Sequence, residues 1–333
     1  MKRARLGKTA LEVGRLSLGG LFVMSAHAEL DEVRRILARA VELGINYIDT
    51  APGYGDSEAV LGRCLADIPA PLVLSTKLGY RPDPFEPRNK DLLRASVEES
   101  LRLLGRDRID LLMIHEADRP RQFDWWTDMV KVEGPVLELL AELKTDGIIR
   151  YTGLGGTTTA PLAHLCRSGK FDVVLTAFNY SLLWREAAND VIPAAREAGM
   201  GVIVGSPLQQ GVLAARYDAQ LDSCAAWWLS RERKAQFKQL YALLDETGMP
   251  LPELALRFVL SNPDVDTVLT GVKSVAELES SAAAAESGPL PEDILRRLDE
   301  IAAMVPFRPC EEPMALGGKI ADPARNKGPG FMT

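Results

Sequence analysis

The stretch NYIDTAPGYG at residues 46–55 decides the fold of this chain. It leaves an apolar strand through Tyr47 and Ile48 and places Asp49 where that strand ends. It then presents Tyr54 on a Pro- and Gly-rich turn that can continue neither as helix nor as strand. An acid at the carboxyl end of a strand beside a loop tyrosine is how a barrel enzyme displays reacting groups. Taken alone, the ten residues fit a strand followed by a polar turn equally well.

Predicted strands and helices alternate on both sides of this stretch. Apolar runs rich in Val, Ile and Leu are typical of strands covered on both faces, and apolar residues at helical spacing fill the segments between them. The predicted strands are 16–22, 47–49, 72–77, 109–115, 148–155, 171–178, 201–207 and 267–271. The predicted helices are 33–40, 59–65, 92–104, 136–144, 161–166, 187–198, 234–244, 253–260 and 275–285. This alternation indicates a (β/α)8 TIM barrel.

The segment RLGKTALEV at residues 5–13 alternates and turns at Gly7 and Lys8, which predicts a small hairpin before the first strand. A barrel of this type occupies about 250 residues and carries any surplus in loops and terminal extensions. We therefore predict a single domain over residues 1–333. A doubly wound sheet would need a G-x-G-x-x-G fingerprint after its first strand, and LSLGGLF lacks it.

Three stretches are too long to be simple connections: 116–134, 214–233 and a Gly- and Pro-rich tail at 306–333. The first two follow the fourth and seventh strands, at the end of a barrel where active sites lie, and each contains a tryptophan pair. We expect these stretches to shape a substrate pocket. The aromatic residues assigned to its wall are Trp125, Trp126 and Trp227. The alternative is that they are surface excursions, partly disordered.

The composition is that of an ordinary globular protein, with 47% hydrophobic and 26% charged residues. The net charge of −7 and the lack of a basic stripe argue against a nucleic-acid partner. The four cysteines lie far apart, and the three histidines do not cluster. We therefore predict no disulfide framework and no metal, which fits the cytoplasm. No apolar segment reaches the ~18 residues needed to cross a bilayer, so no membrane association is predicted.

The amino terminus imitates a secretory signal, because Lys2, Arg3 and Arg5 precede an apolar run at 16–24 and an Ala-His-Ala sequence. A pair of glycines divides that run, however, and acidic Glu12 precedes it. The run reads equally well as the first barrel strand, and we favour the strand.

Four side chains fall at or beside the carboxyl ends of the second, third and fourth strands: Asp49, Tyr54, Lys77 and His115. Each has an ordinary alternative when met alone, such as a helix-capping acid, a solvated strand end or a packed histidine. Because the carboxyl ends of neighbouring barrel strands meet at one rim, we expect the four to form a catalytic site.

Together these residues make a proton donor for a carbonyl group. A phenol titrates near ~10 in water, so it protonates an alkoxide at neutral pH only when a cation stabilises its anion. Lys77 supplies the cation, Asp49 holds Lys77, and His115 can orient the substrate oxygen. With no metal site and no activated Ser or Cys nucleophile in the sequence, the natural partner is a hydride from a nicotinamide.

These residues and their surroundings resemble the aldo-keto reductase superfamily across nearly the whole chain. Matching motifs include GINYIDTAPGYGDSEAVLG at 44–62, LVLSTKLG at 72–79, DRIDLLMIH at 107–115 and GVIVGSPLQQGVLA at 201–214. The catalytic tetrad of the family falls on Asp49, Tyr54, Lys77 and His115. The resemblance implies NAD or NADP bound in extended form across the barrel mouth and Tyr54 as general acid and base. It implies a substrate site lined by Phe22, Tyr54, His115 and the loop tryptophans.

The resemblance also assigns a set of cofactor-binding residues: Gly155, Gly156, Asn179, Tyr180, Ser206, Leu208, Gly211, Gly271, Lys273, Ser274 and Glu277. Tyr180 is the expected ring-stacking tyrosine. Gly155 and Gly156 stand where many relatives have Ser-Asn, which holds the nicotinamide amide, and Ala177 stands where a Gln is usual. Asn179 or a backbone group would therefore have to bind the amide instead. Glu277 stands where NADP users place a basic residue, which favours NAD, although Lys273 and Ser274 could bind a phosphate.

These variations look most like the sugar 1-dehydrogenase branch, with its L-galactose and L-fucose or D-threo-aldose dehydrogenases, which also includes pyridoxal dehydrogenase-like members. We therefore expect a small polyol, lactol or carbonyl substrate and leave the oligomeric state open. A different class is a cofactor-binding regulatory subunit, of the kind the family includes among potassium-channel partners. A barrel hydrolase would need two acids at the mouth, where only Asp49 is evident.

Overall fold

The structure is a computed structural model that describes residues 1–68, 70–81, 83–223 and 229–306. Its centre is a closed barrel of eight parallel strands, in which each strand pairs with the next along the chain and the last pairs with the first. This arrangement confirms the predicted (β/α)8 barrel. The predicted pocket residue Trp227 and the tail from residue 307 onward lie outside the described residues.

A short antiparallel hairpin of β1 (Arg3–Arg5) and β2 (Glu12–Gly14) precedes the barrel, as predicted. The barrel strands are β3 (Leu16–Gly19), β4 (Tyr47–Asp49), β5 (Val73–Leu78), β6 (Ile109–His115), β7 (Ile149–Gly156), β8 (Val173–Ala177), β9 (Gly201–Gly205) and β10 (Thr267–Thr270). The first of these is shorter than predicted, because a 3-10 helix begins at Gly20 (Gly20–Val23). A Cβ on Gly20 would lie 2.7 Å from the Asp49 carbonyl oxygen, so the chain leaves the barrel where a side chain does not fit.

The helices surround the barrel. They are α1 (Leu30–Glu42), α2 (Ser57–Leu65), α3 (Lys90–Leu104), α4 (Pro135–Thr145), α5 (Thr159–Arg167), α6 (Val191–Glu197), α7 (Asp218–Ser223), α8 (Arg231–Thr247), α9 (Leu251–Ser261), α10 (Val275–Glu286) and α11 (Glu292–Ala303). The sequence analysis missed α7 and α11. The helix predicted at 187–198 is a 3-10 turn (Glu186–Ala188) followed by α6. In the parts of the chain that the structure describes, no helix has both the length and the apolar character to span a membrane.

Local sequence explains where two of the longer helices begin and end. The Asn89 side chain accepts a hydrogen bond from the Leu92 backbone N–H at the start of α3, and the Ser230 hydroxyl accepts one from the Arg233 N–H at the start of α8. Both helices end at a glycine in the left-handed conformation, Gly105 (φ +61°) and Gly248 (φ +65°). These caps fix the ends of helices that the apolar pattern alone places only approximately.

The hairpin closes the amino-terminal end of the barrel. Its residues Leu6, Leu11 and Val13 are buried against inward-facing residues of the strands, in a cluster separate from the core between strands and helices. The fit is close, because a Cβ on Gly201 would lie 2.7 Å from Leu6 Cγ, and one on Gly7 (φ +54°) would lie 2.1 Å from the Gly201 nitrogen. Side chains fill this end, so the opposite, carboxyl end of the barrel is the place for a site.

We expect Leu6→Ala to lower the free energy of unfolding by about 2–5 kcal/mol, because the substitution removes a fully buried side chain and leaves a cavity below the barrel. Urea denaturation followed by circular dichroism measures the loss. Lys8→Ala is the matched control in the same hairpin, since Lys8 is exposed and its ammonium makes a long hydrogen bond of 3.4 Å to the Ala198 carbonyl, while its backbone N–H keeps its bond to the Gly199 carbonyl in the variant. Equal unfolding midpoints for the two variants would contradict the proposed closure by the hairpin.

Candidate active site

An ion pair between Lys77 and Asp49 lies at the carboxyl ends of β5 and β4. Lys77 Nζ is 2.6 Å from Asp49 Oδ2 and 2.8 Å from the Thr50 carbonyl oxygen, and both charged side chains are at most 2% exposed. The strand register creates the pair: Asp49 lies opposite Ser75, so Lys77, two residues further along, projects from the same face as Ser75. Burial acts to lower the pKa of the Lys77 ammonium, but the Asp49 charge and the contacts with Tyr54 outweigh it and raise that pKa.

Tyr54 approaches this ammonium from the loop after β4. Its backbone is held in a tight turn, because the Tyr54 N–H donates to the Ala51 carbonyl and the Ser57 N–H donates to the Tyr54 carbonyl, each over 3.0 Å. Lys77 Nζ lies 4.8 Å from the centre of the phenol ring. Burial raises the pKa of the Tyr54 phenol, and the Lys77 charge opposes the rise without cancelling it. Tyr54 is therefore a protonated donor at neutral pH, with a cation beside it to stabilise its anion.

His115 borders the site from the end of β6. Its ring meets the Tyr54 ring edge-on, with 5.8 Å between the centroids. Burial, followed by the charge of Lys77, holds the pKa of His115 well below 6.5. The imidazole is thus neutral at neutral pH and can hydrogen-bond a substrate oxygen without carrying a charge. The structure brings together all four residues that the sequence analysis placed in the catalytic site.

Tyr80 adds an aromatic wall that the sequence analysis missed. Its ring centroid lies 5.1 Å from that of His115 and 4.9 Å from that of Phe123, yet the residue is 37% exposed. Its backbone is left-handed, with φ +66°. Burial and the nearby Glu116 charge raise the pKa of Tyr80 to about 12. A signal was present in the sequence, since Tyr80 directly follows the LVLSTKLG motif that ends the strand of Lys77.

Trp125 and Trp126 lie in the core, which corrects their predicted place on the pocket wall. Trp125 is 0% and Trp126 3% exposed. Their indole N–H groups donate to the carbonyls of His115 and Ala117 over 3.1 and 2.8 Å. The indole rings are buried in the core, and their N–H groups need hydrogen-bond partners there. Both partners are backbone carbonyls at the end of β6 or just after it, so the two indoles fix this segment from the core side. Trp125 therefore supports the backbone of His115.

Phe22 lies in the 3-10 helix after β3, beside the end of β10. A Cβ on Gly271 would lie 2.4 Å from Phe22 Cδ2, and Lys273 Nζ is 5.1 Å from the centre of the Phe22 ring. Two predicted cofactor residues and one predicted substrate residue therefore form a single patch at the barrel mouth. A contact of Phe22 with substrate stays a prediction.

The two glycines that end β7 have different surroundings. A Cβ on Gly155 would meet nothing closer than 3.6 Å, and Lys77 Cδ and Cε would lie 3.7 Å away. A Cβ on Gly156 would instead lie 2.7 Å from Asp118 Oδ1. Asp118 is fixed there, because its Oδ2 accepts hydrogen bonds from the Thr157 N–H (2.9 Å) and the Thr158 hydroxyl (2.6 Å). The sequence analysis missed Asp118, whose carboxylate occupies the space beside Gly156.

Asn179 and Tyr180 follow β8 and are both buried. The Asn179 side-chain amide donates to the Thr157 carbonyl over 2.9 Å. The Tyr180 hydroxyl accepts from the Asn262 amide over 3.0 Å, and its ring packs on Phe258 of α9 at 5.5 Å between centroids. Tyr180 is thus held in the layer between the barrel and α9, and its stacking on a nicotinamide ring stays a prediction.

Three of the predicted cofactor residues, Ser206, Leu208 and Gly211, lie in a tight turn after β9. Ser206 has φ +54°, its carbonyl accepts from the Gln209 N–H over 3.0 Å, and the Leu208 carbonyl accepts from the Gly211 N–H over 3.0 Å. The Gln209 side chain donates to the Phe178 carbonyl over 2.8 Å, which ties this turn to the end of β8. The turn is therefore fixed at the mouth of the barrel.

Two carboxylates occupy the amino terminus of α10. The Ser274 hydroxyl caps this helix by accepting from the Glu277 N–H over 3.3 Å, and Glu277 Oε2 accepts from the Lys273 N–H over 2.8 Å. Glu32 of α1 reaches the same end, where its Oε1 accepts from the Val275 N–H over 3.2 Å. A helix amino terminus normally attracts anions, but here Glu32 already accepts from the Val275 N–H, Glu277 lies beside it, and both carboxylates repel further negative charge.

The barrel and the tetrad at its carboxyl end define a carbonyl oxidoreductase of the barrel type. Residues 15–303 match the Aldo/keto reductase family, and the chain belongs to that family.

Among relatives, the chain is 30% identical over 305 residues to a D-threo-aldose 1-dehydrogenase of Pseudomonas sp, covering 84% of this chain and 90% of the relative. It is 28% identical to the L-galactose dehydrogenase of Arabidopsis thaliana, covering 84% and 86% of the two chains, and 28% identical to the pyridoxal 4-dehydrogenase of Microbacterium luteolum, covering 84% and 90%. The holo form of an aldo-keto reductase from Bacillus halodurans superposes with a TM-score of 0.74 at 28% identity, covering 91% and 96%. The resemblance predicted from the motifs is confirmed.

We expect Gly156→Ala to cost about 1–3 kcal/mol of stability, because its Cβ would collide with the Asp118 carboxylate, which cannot move without losing its hydrogen bonds to Thr157 and Thr158. Gly155→Ala is the neighbouring control and should change the free energy of unfolding by less than about 0.5 kcal/mol, since its Cβ makes only ordinary contacts. Urea unfolding of both variants measures the difference. The packing account of Asp118 is wrong if Gly155→Ala is the more destabilised of the two.

Proposed function

We propose that this chain interconverts a carbonyl group and an alcohol or lactol on a sugar or related polyol, with NAD(P) as hydride carrier. The observation that carries the proposal is the convergence of Tyr54, Lys77, Asp49 and His115 at one rim of the barrel. Membership in the aldo/keto reductase family establishes an oxidoreductase that acts on carbonyls, and members generally use NAD(P)H. The sugar, the cofactor type and the role of each residue belong to the proposal.

The tetrad moves and holds one proton. In the direction of reduction, Tyr54 gives its hydroxyl proton to the carbonyl oxygen as negative charge develops there. Lys77 stabilises the resulting phenolate, and Asp49 fixes Lys77 and balances its charge. Neutral His115 donates a hydrogen bond that orients the same oxygen. In oxidation, the Tyr54 phenolate takes the proton back.

A bound nicotinamide dinucleotide supplies the hydride. The residues at the mouth fit such a group, because Gly155 presents no side chain beside Lys77, and within the described residues no atom lies within 4 Å of a Cβ position on Gly211 (φ +98°). Gly155, Gly156 and Asn179 would border the nicotinamide end. Ser206, Leu208 and Gly211 would border the pyrophosphate. Gly271, Lys273 and Ser274 would border the adenosine end.

Charge at α10 favours NAD over NADP. The extra phosphate of NADP would enter the neighbourhood of Glu277, where the sequence analysis expects repulsion, and the structure adds Glu32 from a second helix. Lys273 is the cation that the sequence analysis assigned to phosphate binding, and its side chain lies over the Phe22 ring. The Arg35 guanidinium pairs with Glu32, so Glu277 is the carboxylate that carries most of the expected repulsion of a phosphate.

The substrate class rests on the relatives and on the pocket wall. Relatives named for aldoses favour a sugar, and the exposed ring of Tyr80 beside His115 offers a flat surface for the apolar face of one. The relative named for pyridoxal keeps a non-sugar aldehyde as the alternative. A regulatory subunit with little turnover is a third possibility. Steady-state assays with L-galactose, D-threo-aldoses, pyridoxal and simple ketones separate the three, because a subunit would bind cofactor and turn over none.

We expect Tyr54→Phe to abolish turnover, with a loss of at least about a hundredfold in kcat, because the hydroxyl is needed when the proton moves. Cofactor affinity should stay within about twofold, since that interaction does not use the hydroxyl. Steady-state kinetics and fluorescence titration with NADH measure the two quantities. Tyr80→Phe is the control, because it removes a hydroxyl from a neighbouring ring that has no assigned part in the proton transfer. Full activity in Tyr54→Phe would remove Tyr54 from its role.

We expect the wild type to bind NADH more tightly than NADPH. The double variant Glu32→Gln/Glu277→Gln should reduce the ratio of the NADPH and NADH dissociation constants about tenfold or more, because it removes two negative charges and keeps both acceptor oxygens. Glu279→Gln is the control on the same helix, because Glu279 instead pairs with Arg39 at 2.8 Å. Dissociation constants come from fluorescence titrations at fixed ionic strength. Tighter binding of NADPH by the wild type would refute the assignment.

A further inference from the structure

A chain of buried hydroxyl groups continues the catalytic site into the interior of the barrel. Ser75 Oγ lies 2.6 Å from Asp49 Oδ1, the carboxylate oxygen that does not bind Lys77, and Tyr47 Oη lies 2.8 Å from Ser75 Oγ. Tyr47 and Ser75 are both 0% exposed. Hydrogen-bond distances therefore connect Tyr47, Ser75, Asp49 and Lys77 without a gap.

The direction of these hydrogen bonds follows from the donor inventory. An ionised carboxylate only accepts, so the single hydroxyl proton of Ser75 is donated to Asp49. Ser75 Oγ must then accept from Tyr47, whose hydroxyl is the donor at the start of the chain. Burial raises the pKa of Tyr47 well above 10, and the Asp49 charge adds to the rise, so Tyr47 keeps this proton at every working pH. Hydrogen bonds aligned in this way strengthen one another.

We propose that Ser75 and Tyr47 are positioning residues for the reaction, which set the strength of Tyr54 as an acid by fixing Asp49 and drawing part of its negative charge away from Lys77. The proposal rests on the proposed function for its kinetic meaning. Its structural content is independent of any substrate. Asp49 divides its charge between the Ser75 hydroxyl on one oxygen and the Lys77 ammonium on the other. Removing the hydroxyl leaves more of that charge to neutralise Lys77, which then stabilises the Tyr54 phenolate less.

Other charged and titratable groups also face Tyr54. Glu116 follows β6 and raises the pKa of the phenol through its charge, Asp49 does the same from β4, and Lys77 of β5 lowers it. His115 of β6 is neutral, and the Tyr80 phenol is protonated at neutral pH. A change confined to Ser75 or Tyr47 removes none of these charged and titratable groups.

The test is the titration of Tyr54 itself in the cofactor-free protein. Tyrosine labelled with ¹³C at Cζ reports phenol ionisation by NMR, and the resonance missing from Tyr54→Phe assigns the signal. We expect Ser75→Ala to raise the midpoint by about half a unit to one unit. Tyr47→Phe should raise it by less, because it only weakens the donor next to Asp49. Ser75→Thr keeps the hydroxyl and should restore the wild-type midpoint.

Ser17→Ala is the matched control. Ser17 is a second fully buried serine of the barrel, and its hydroxyl lies 2.7 Å from Thr267 Oγ1. The substitution deletes a buried hydroxyl of the same kind with no contact to Asp49, so the Tyr54 midpoint should not move. A shift equal to that of Ser75→Ala would show a general effect of loosening the barrel and would overturn the proposal. Wild-type midpoints in both Ser75→Ala and Tyr47→Phe would overturn it as well. Tyr47→Phe alone decides the matter if Ser75→Ala does not fold.

Kinetics with L-galactose then separate this inference from the proposed function. For oxidation, the acidic limb of the pH profile of kcat/KM should move up by the same half to one unit in Ser75→Ala, which corresponds to about a threefold to tenfold loss at neutral pH. KM for the cofactor should not change. If no carbonyl or alcohol is turned over by the wild type, the proposed function fails, while the NMR shift still decides the role of Ser75 and Tyr47.

Discussion

The buried ion pair of Lys77 and Asp49 is the constraint on which the rest of the site depends. Taking two charges out of water is costly, and breaking such a pair from one side typically costs about 3–5 kcal/mol. The protein therefore surrounds both charges with partners: the Thr50 carbonyl and Tyr54 for the ammonium, and the Ser75 hydroxyl for the carboxylate. The register of β4 and β5 places Ser75, and the loop that follows β4 places Thr50 and Tyr54. Burial keeps Tyr54 protonated and His115 neutral, and the charge of Lys77 lowers the pKa of both groups.

The two ends of the barrel are built differently. Apolar side chains of the hairpin fill the amino-terminal end. At the carboxyl end, four residues within two positions of a strand end have left-handed backbones without being glycine: Tyr80, Glu116, Phe178 and Ser206, with φ of 66°, 52°, 66° and 54°. Such a conformation costs a residue roughly 1–2 kcal/mol. Strained backbone conformations are expected at a functional site, and close apolar packing is expected at the end of the barrel that stabilises the fold.

The end of β7 is enclosed by residues of two neighbouring loops. Gly156 lacks a side chain, and the Asp118 carboxylate from the preceding βα loop occupies the adjacent space. Thr157 and Thr158 then donate to Asp118, and Asn179 donates to the Thr157 carbonyl. Side chains of two neighbouring loops therefore surround Gly156. The sequence does not indicate this contact, because Asp118 and Gly156 are far apart along the chain and only the pairing of β6 with β7 brings them together.

The sequence by itself determined the barrel and its tetrad. The alternation of apolar strands and helices repeats along the chain, strand β6 was predicted at its observed bounds, and Asp49, Tyr54, Lys77 and His115 were recognisable because each stands at or beside a strand end. These features depend on the spacing of residues that are close together in the sequence, so they can be read from the sequence alone. Only the tertiary structure decided that Trp125 and Trp126 support the loop from the core, that Tyr180 packs on α9, and that Tyr80, Asp118 and the Tyr47–Ser75 pair border the site. Those contacts join residues of different strands and loops, and the shear of the closed barrel, which no single segment encodes, sets their relative heights.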